Sequence, residues 1–295
     1  MSSMPYQNQV DHVSSITWEE AVLWLRAQPD QQELVRACYF DDPLPEAAAR
    51  YEASEEWQAV RAILPSKVGI ALDLGAGRGI SSFALAKAGW QVDALEPDSS
   101  AIVGRGAIEH LVNKTAMPIR LLDGFAEQIP AQDDAYDLVF GRQVMHHAHN
   151  LQNMCREIFR VLQPGGTFIA TREHVISKKE DLQSFLNSHP LNYLYGGENA
   201  FLLQEYTEAL ENAGFQVRYV FGPFDTPINY FPMSRKQWRR TIQAPIARRI
   251  GRMFTRLLLS EVLPWNKNIY RSLAQRASQN DNAPGRLYSF FAHKP

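Results

Sequence analysis

Short apolar runs alternate with amphipathic stretches through the middle of the chain. The apolar runs have the length and residue types of buried strands and fall at 68–74, 91–96, 118–122, 135–141 and 166–171. Helical patterns separate these runs, at 79–88, 99–113 and 151–162. Regular alternation of strands and helices predicts an α/β fold, in which a mainly parallel, doubly wound sheet is covered by helices on both faces.

Further segments extend this core at both ends of the chain. Residues 18–64 predict three or four helices, and a helix over 201–213 precedes two last strands, near 215–221 and 287–293, which makes seven strands in total. We predict four parts: an N-terminal helical cap at 1–65, a core at 66–228 with a lid segment at 176–200, a helical insertion at 229–284 and the final strand of the core at 285–295.

The composition of the chain restricts its expected cellular location more than it restricts its function. The 295 residues carry a net charge of −2 and two cysteines, Cys38 and Cys155, which are too few for a disulfide framework. Residues 1–13 are polar and lack the apolar segment of a signal peptide. No apolar run reaches the roughly 20 residues that cross a bilayer. We therefore expect a cytoplasmic protein.

The most informative stretch is an apolar strand that runs directly into a glycine-rich turn. Gly75, Gly77 and Gly79 allow a tight turn and the close approach of a ligand to the backbone. A dinucleotide fingerprint, which would indicate an oxidoreductase, has its third glycine one residue later, where this chain has Ile80. The carboxylate of Asp73 would repel a pyrophosphate but attract an ammonium group, so we predict a ligand with a cationic head.

Five ordered motifs of the chain resemble those of class I S-adenosylmethionine-dependent methyltransferases. They lie at 72–79 (LDLGAGRG), 92–98 (VDALEPD), 124–130 (GFAEQIP), 137–140 (DLVF) and 161–168 (VLQPGGTF). The resemblance covers residues 66 to 175 and implies a Rossmann-like fold. It also implies S-adenosyl-L-methionine as the cofactor and in-line methyl transfer to a small organic acceptor.

The same resemblance implies which residues hold the cofactor. The glycine turn would hold the methionine part, Glu96 the ribose and residues 123–127 the adenine. Members of the family often have an acid where Phe125 stands, so Phe125 would lie against the purine face or else belong to the core. The full set of predicted cofactor contacts is Asp73, Gly75, Ala76, Gly77, Gly79, Glu96, Pro97, Asp123, Gly124, Phe125, Ala126, Arg142 and Gln143.

Four histidines, His146, His147, His149 and His174, follow the fourth and fifth strands, where the ligand site of an open α/β sheet lies. Methyl transfer needs a base only when the acceptor must lose a proton. We predict His147 as the catalytic base, followed by His174 and His146, although His147 could instead brace its loop. We predict no metal, because a zinc site from these residues and His149 would require neighbouring histidines of one loop to face a common ion.

The segments that flank the core are expected to bind the acceptor. Tyr51 and Trp57 precede the first strand and could close over the methyl donor, while Glu173, Tyr195 and Glu198 follow the fifth strand. Both groups combine aromatic faces with polar tips, as small-molecule pockets do. Ordinary helix packing and a plain loop are the alternatives.

The insertion is strongly basic between residues 235 and 258. Its cations are Arg235, Lys236, Arg239, Arg240, Arg248, Arg249, Arg252 and Arg256, and from Ile246 the apolar positions share one helical face. Such a helix could contact an anionic membrane or an acidic ligand, or pack on the core with its arginines in water. No nucleic-acid module accompanies it, so we expect no nucleic-acid partner. The alternative function is a non-catalytic pocket protein that binds a membrane or partner through this helix.

Overall fold

The computed structural model describes residues 16–251 and 266–295. Its helices lie before, between and after the strands. They are α1 (Trp18–Arg26), α2 (Gln32–Ala37), α3 (Leu44–Glu52), α4 (Glu55–Arg61), α5 (Ile80–Lys87), α6 (Arg105–Thr115), α7 (Leu151–Val161), α8 (Asp181–Ser188), α9 (Asn192–Tyr195), α10 (Leu203–Ala213), α11 (Pro227–Tyr230), α12 (Arg235–Ile250) and α13 (Asn266–Asn280).

One sheet forms the centre of the molecule. Its strands are β1 (Ile70–Leu74), β2 (Gln91–Leu95), β3 (Ile119–Leu122), β4 (Tyr136–Arg142), β5 (Leu162–Ile176), β6 (Phe201–Leu202), β7 (Gln216–Phe221) and β8 (Arg286–His293). The seven predicted strands follow the order β3-β2-β1-β4-β5-β8-β7, and the two-residue β6 adds an eighth beside β5. Strands β1 to β5 pair in parallel, whereas β8 is antiparallel to both of its neighbours. The predicted α/β fold is confirmed.

Burial on both faces explains why the strands read as continuous apolar runs. In β1, Leu72 and Leu74 enter the hydrophobic core on one face of the sheet, while Ala71 enters the core on the other face. Successive side chains of a strand point to opposite faces, so a strand covered by helices on both sides needs apolar residues at nearly every position.

Helix α6 begins later than the predicted residue 99. A turn precedes it, in which Asp98 Oδ1 accepts a hydrogen bond from the Ser100 amide at 2.7 Å, and the Arg105 amide donates to the Asp98 carbonyl at 2.7 Å. Aspartate side chains that bond to nearby amides compete with helix formation. The helix therefore begins only after Gly104.

The described part of the insertion between β7 and β8 is mainly helical, and the described part of its basic stretch packs against other residues. Trp238 donates its indole N–H to the Phe224 carbonyl at 2.8 Å and stacks on Tyr230, and Ile242 is buried. Most of the apolar stripe predicted from Ile246 lies outside the described residues. Contact with an anionic membrane or an acidic ligand therefore stays a prediction.

None of the helices in residues 16–251 and 266–295 combines the length and the apolar composition that a membrane span requires.

Candidate active site

A cavity of about 650 Å³ lies at the C-terminal ends of the parallel strands. Its walls combine the glycine turn after β1, the end of β2, the segment after β3, the loop after β4, the lid segment and the N-terminal helices. The residues that line it include Trp18, Cys38, Tyr39, Gly75, Ala76, Gly77, Glu96, Pro97, Gly124, Phe125, Ala126, Arg142, Gln143, His146, His147, His149, His174, His189, Tyr195 and Glu198.

The glycine turn forms a cradle whose middle position is open. Gly75, Gly77 and Gly79 have positive φ angles of +61°, +54° and +80°, which L side chains rarely adopt. A Cβ at Gly75 would lie 2.4 Å from Val144 Cγ2, whereas a Cβ at Gly77 would have no neighbour closer than 3.9 Å. The backbone of Gly77 therefore faces free space into which a ligand fits.

Glu96 stands at the end of β2 with its carboxylate fixed toward this cradle. Its Oε2 accepts a hydrogen bond from the Gly77 amide at 2.8 Å, and its Oε1 accepts from the Asp98 amide at 3.0 Å. Burial raises the pKa of Glu96, although both amides counteract this effect. Each carboxylate oxygen has a second lone pair that can accept a ribose hydroxyl.

Asp73 lies behind the turn and does not line the cavity. Its carboxylate is almost fully buried and accepts a hydrogen bond from Ser82 Oγ at 2.5 Å. Burial raises the pKa of Asp73 to about 7, which the Ser82 hydrogen bonds oppose. The predicted direct contact with an ammonium group is thus corrected, because the carboxylate joins β1 to α5 and supports the turn from behind.

The segment after β3 places an aromatic ring in the cavity. Phe125 is 60% exposed and lines the cavity together with Gly124 and Ala126, so the alternative that it belongs to the core is excluded. Asp123 does not line the cavity and instead forms an ion pair with Arg105 at 2.7 Å. Contact of Asp123 with the cofactor stays a prediction, since its side chain is 72% exposed.

Arg142, at the end of β4, is held by an acid that the sequence analysis missed. Its Nε donates to Glu56 Oε1 at 2.6 Å and its Nη1 donates to Gln143 Oε1 at 2.9 Å. Burial works against the charge of Arg142, but Glu56 holds the pKa of Arg142 above its ordinary value. Glu56 is fully buried on the same helical face as Val60, and that i,i+4 spacing is the signal that could have pointed to it.

Tyr51 and Trp57 are core residues and do not line the cavity. Both are fully buried, and their rings pack against each other with a centroid distance of 5.7 Å. Tyr51 also lies beneath the Arg142 guanidinium, whose central carbon is 5.4 Å from its ring centroid. The prediction that these two residues close over the methyl donor is corrected. Trp18, Tyr39 and Phe40 are the aromatic residues of the described N-terminal helical region that do reach the cavity.

The N-terminal region is tied directly to the glycine turn by Arg78. Its guanidinium donates to the backbone carbonyls of Tyr39 at 2.7 Å and Asp41 at 3.0 Å, and to the carboxylate of Asp42 at 2.5 Å. Burial lowers the pKa of Arg78, and these acceptors support its charged form. The turn and the wall of the cavity opposite the sheet are therefore one connected unit.

Glu173 shapes the loop after β4 without contacting the cavity. It is fully buried, and it accepts hydrogen bonds from the amides of Val144 and His146 at 3.1 Å each. It also bonds to the Nδ1 atom of His146 at 2.7 Å. The prediction that Glu173 binds the acceptor is corrected, because its oxygens are used to position His146.

The three candidate bases differ in their surroundings. Burial lowers the pKa of His146 well below its ordinary value and lowers the pKa of His174 to about 3. His147 is exposed to the cavity, and its Nδ1 lies 2.9 Å from the carbonyl oxygen of Gly197. Because a carbonyl only accepts, that nitrogen carries the proton and the Nε2 lone pair of His147 is free. This geometry favours His147 among the three.

The lid segment adds Tyr195, Glu198 and one residue that the sequence analysis passed over. Tyr195 donates its hydroxyl to Glu198 Oε1 in a very short hydrogen bond. The Nε2 atom of His189 lies 3.7 Å from the same oxygen. The other oxygen of Glu198, Oε2, is buried and has no hydrogen-bond partner among the described residues.

His146, His174 and Glu198 come together from three separate parts of the chain. One side-chain ligand atom of each lies within 4.8 Å of those of the other two, and His146 Nε2 is 3.7 Å from Glu198 Oε2. Each residue also lines the cavity. The cluster lies at the end of the cavity that is formed by the loop after β4 and the lid segment.

Comparison with known proteins agrees with this geometry. Residues 72–170 match the family model described as a methyltransferase domain. The chain is 29% identical over 154 residues to a probable S-adenosylmethionine-dependent methyltransferase of Mycolicibacterium smegmatis, which covers 52% of this chain and 54% of that protein. It is 35% identical over 101 residues to a sarcosine/dimethylglycine N-methyltransferase of Aphanothece halophytica, covering 34% and 36% of the two chains.

A solved structure has the same fold. The structure of geranyl diphosphate methyltransferase in complex with S-adenosylmethionine superposes with a TM-score of 0.56 at 12% identity, covering 88% of this chain and 94% of that one. The chain spans between 38% and 54% of the length of three of the curated relatives it matches. Residues 72–170 are a methyltransferase domain, and the match to a probable S-adenosylmethionine-dependent relative supports S-adenosylmethionine as its cofactor.

Proposed function

We propose that the chain is an S-adenosylmethionine-dependent methyltransferase that acts on a small organic acceptor. The observation that carries the proposal is a single cavity that holds an open glycine cradle and Glu96 at one end and His147 with the lid segment at the other. Its volume of about 650 Å³ lies within the range of small-molecule sites. The similarity to an N-methyltransferase that acts on sarcosine and dimethylglycine supports an acceptor of modest size.

The described residues fit the cofactor. The free space over Gly77 would accept the methionine part, the two fixed oxygens of Glu96 would accept the ribose hydroxyls, and the exposed ring of Phe125 would cover one face of the adenine. Arg142, held by Glu56, lines the cavity beside the cradle and supplies a fixed positive charge for a carboxylate.

When bound, the cofactor would supply a methyl group on a positively charged sulfur, which the acceptor atom would displace with S-adenosylhomocysteine as the leaving group. The chain contributes mainly position, since alignment of the acceptor lone pair opposite the sulfur supplies much of the rate. An acceptor that loses a proton delivers it to Nε2 of His147, whose Nδ1 is fixed by Gly197. Tyr195 and Glu198 would contact the polar groups of the acceptor.

Two measurements test this proposal. Isothermal titration calorimetry with S-adenosylhomocysteine should show one site per chain, and the radiolabelled methyl group of S-adenosylmethionine should be transferred to a compound in a metabolite extract. The variant His147→Gln should bind S-adenosylhomocysteine with unchanged affinity and lose about 10²–10⁴-fold in transfer rate, the usual contribution of a positioned base.

His110→Gln is the matched control, since His110 is exposed on α6 and does not line the cavity. Transfer by His147→Gln within tenfold of the unmodified chain would remove the base assignment. No heat with S-adenosylhomocysteine, together with no transfer, would remove the enzymatic proposal.

A further inference from the structure

We propose that His146, His174 and Glu198 bind one divalent transition-metal ion, of the type that prefers imidazole ligands, at the acceptor end of the cavity. The proposal adds to the proposed function a site that would bind the acceptor. Two histidines and one glutamate are the ligand set of catalytic zinc sites, which leave one coordination position open for a water molecule or a substrate atom.

The orientation of the two imidazole rings supports this site. His146 bonds through Nδ1 to the carboxylate of Glu173 at 2.7 Å, and His174 bonds through Nδ1 to the carbonyl of Gly285 at 2.9 Å. Histidines that bind metals almost always engage the second ring nitrogen with a carboxylate or a backbone carbonyl in this way. The Nε2 lone pair is consequently free on both rings.

Glu198 supplies an independent observation. Its side chain is 6% exposed, and its Oε2 has no hydrogen-bond partner among the described residues although it lies in a buried position. A buried carboxylate oxygen without a partner is costly, so it calls for a cation or a donor that the described side chains do not provide.

The distances also suit a common ion. His146 Nε2 and Glu198 Oε2 are 3.7 Å apart, which is too long for a hydrogen bond. Two ligands at about 2.0–2.1 Å from a tetrahedral zinc ion are separated by about 3.4 Å. All three ligand atoms lie within 4.8 Å of one another, so small side-chain shifts bring them to one ion.

This site does not require neighbouring histidines of one loop to bind the same ion, which was the reason to expect no metal from the sequence. Neighbouring histidines of one loop do not share the ion, because His146 is buried toward Glu198 while His147 is exposed and held by Gly197. The other ligands come from β5 and from the lid segment. Since all three residues line the cavity, the open position of the ion would face an acceptor oxygen or nitrogen and polarise it.

Metal binding is tested without donor or acceptor, so that its failure is distinct from failure of the proposed function. The full chain, treated with chelator and dialysed, is titrated with Zn²⁺ alone by calorimetry and with Co²⁺ by visible absorption. We expect one Zn²⁺ per chain, a higher unfolding temperature with Zn²⁺, and a Co²⁺ spectrum of low coordination number.

Two variants assign the ligands. Glu198→Gln keeps the shape of the side chain and removes its charge, and His174→Asn keeps an N–H near the position of Nδ1, toward Gly285, while it removes Nε2. Each should weaken Zn²⁺ binding by at least about 100-fold. His110→Asn, which removes an exposed histidine on α6, should bind Zn²⁺ like the unmodified chain.

Thermal unfolding checks that each variant is folded. If His174→Asn does not fold, Glu198→Gln alone tests the assignment of the zinc ligands. The proposal is overturned if no Zn²⁺ binds at about 100 μM, if Glu198→Gln binds Zn²⁺ within threefold of the unmodified chain, or if His110→Asn loses as much affinity as Glu198→Gln. Binding of S-adenosylhomocysteine, measured in parallel, reports on the methyl-donor site separately.

Discussion

Replacement of Gly77 by alanine should strongly weaken cofactor binding while the fold persists. The backbone of Gly77 has φ of +54°, and a Cβ there would have no protein atom closer than 3.9 Å. The cost to folding is therefore confined to the strain of an alanine in the left-handed region, about 1 kcal/mol. For a chain of this size that corresponds to a fall of about 2 °C in the unfolding temperature.

The new methyl group would instead occupy the space where the cofactor meets the backbone. We expect the affinity for S-adenosylhomocysteine to fall by about 100-fold, which equals about 2.7 kcal/mol. Calorimetry measures the affinity, and thermal unfolding measures the stability of the same preparation. Binding within threefold of the unmodified chain, in a folded variant, would refute the assignment of Gly77 to the cofactor cradle.

Gly75 provides the matched control, because its φ of +61° is similar but neighbouring side-chain atoms leave no space for a Cβ. A Cβ there would lie 2.4 Å from Val144 Cγ2, so Gly75→Ala adds overpacking of about 1–3 kcal/mol to the same strain. Gly75→Ala should therefore unfold at a clearly lower temperature than Gly77→Ala. Equal losses of stability in the two variants would contradict the open geometry at Gly77.

Three further outcomes follow from the site. Phe125→Ala should weaken S-adenosylhomocysteine binding by about tenfold, measured by calorimetry, with little change in stability, because the ring is 60% exposed. Glu56→Gln should lower the free energy of unfolding by about 3–5 kcal/mol in urea titrations, because it leaves the buried guanidinium of Arg142 without its carboxylate partner. The control Glu46→Gln, at an exposed position, should change the free energy of unfolding by less than about 0.5 kcal/mol. Burial raises the pKa of Asp73 from its usual 3.8 to about 7, so between these values the folded chain retains a proton that the unfolded chain loses. The stability from this group is therefore complete below its usual pKa and is lost as the pH rises toward 7. Urea titrations from about pH 5 to about pH 8 should show this decline in the unmodified chain relative to Asp73→Asn.

The centre of the sheet was predictable because β1, β2, β4 and β5 are buried along most of their length and therefore read as apolar runs. The bounds of β1, β2, β4 and β8 differ by only one or two residues from the predicted ones. The start of α6 was not predictable, because the turn at Asp98 replaces the first helical turn with side-chain hydrogen bonds. Regular periodicity does not report such local competition.

The site was predictable only where one backbone segment determines it. The positive φ angles of the glycine turn and the position of Glu96 follow from one strand, turn and helix unit. The pairing of Glu56 with Arg142, and the meeting of His146 with Glu198, join segments far apart in the sequence. Aromatic residues before β1 suggested a lid, but burial of Tyr51 and Trp57 shows that packing requires the same residue types.

The anchoring of Arg78 has a consequence for how this architecture can vary. Two of its three acceptors, at Tyr39 and Asp41, are main-chain oxygens, which any amino acid at those positions could provide. Side chains on the preceding helices could thus diversify freely while their attachment to the nucleotide turn persists. Chimeras that exchange the N-terminal region between relatives should tolerate wide sequence differences, provided that Arg78 and an acid at the position of Asp42 are retained.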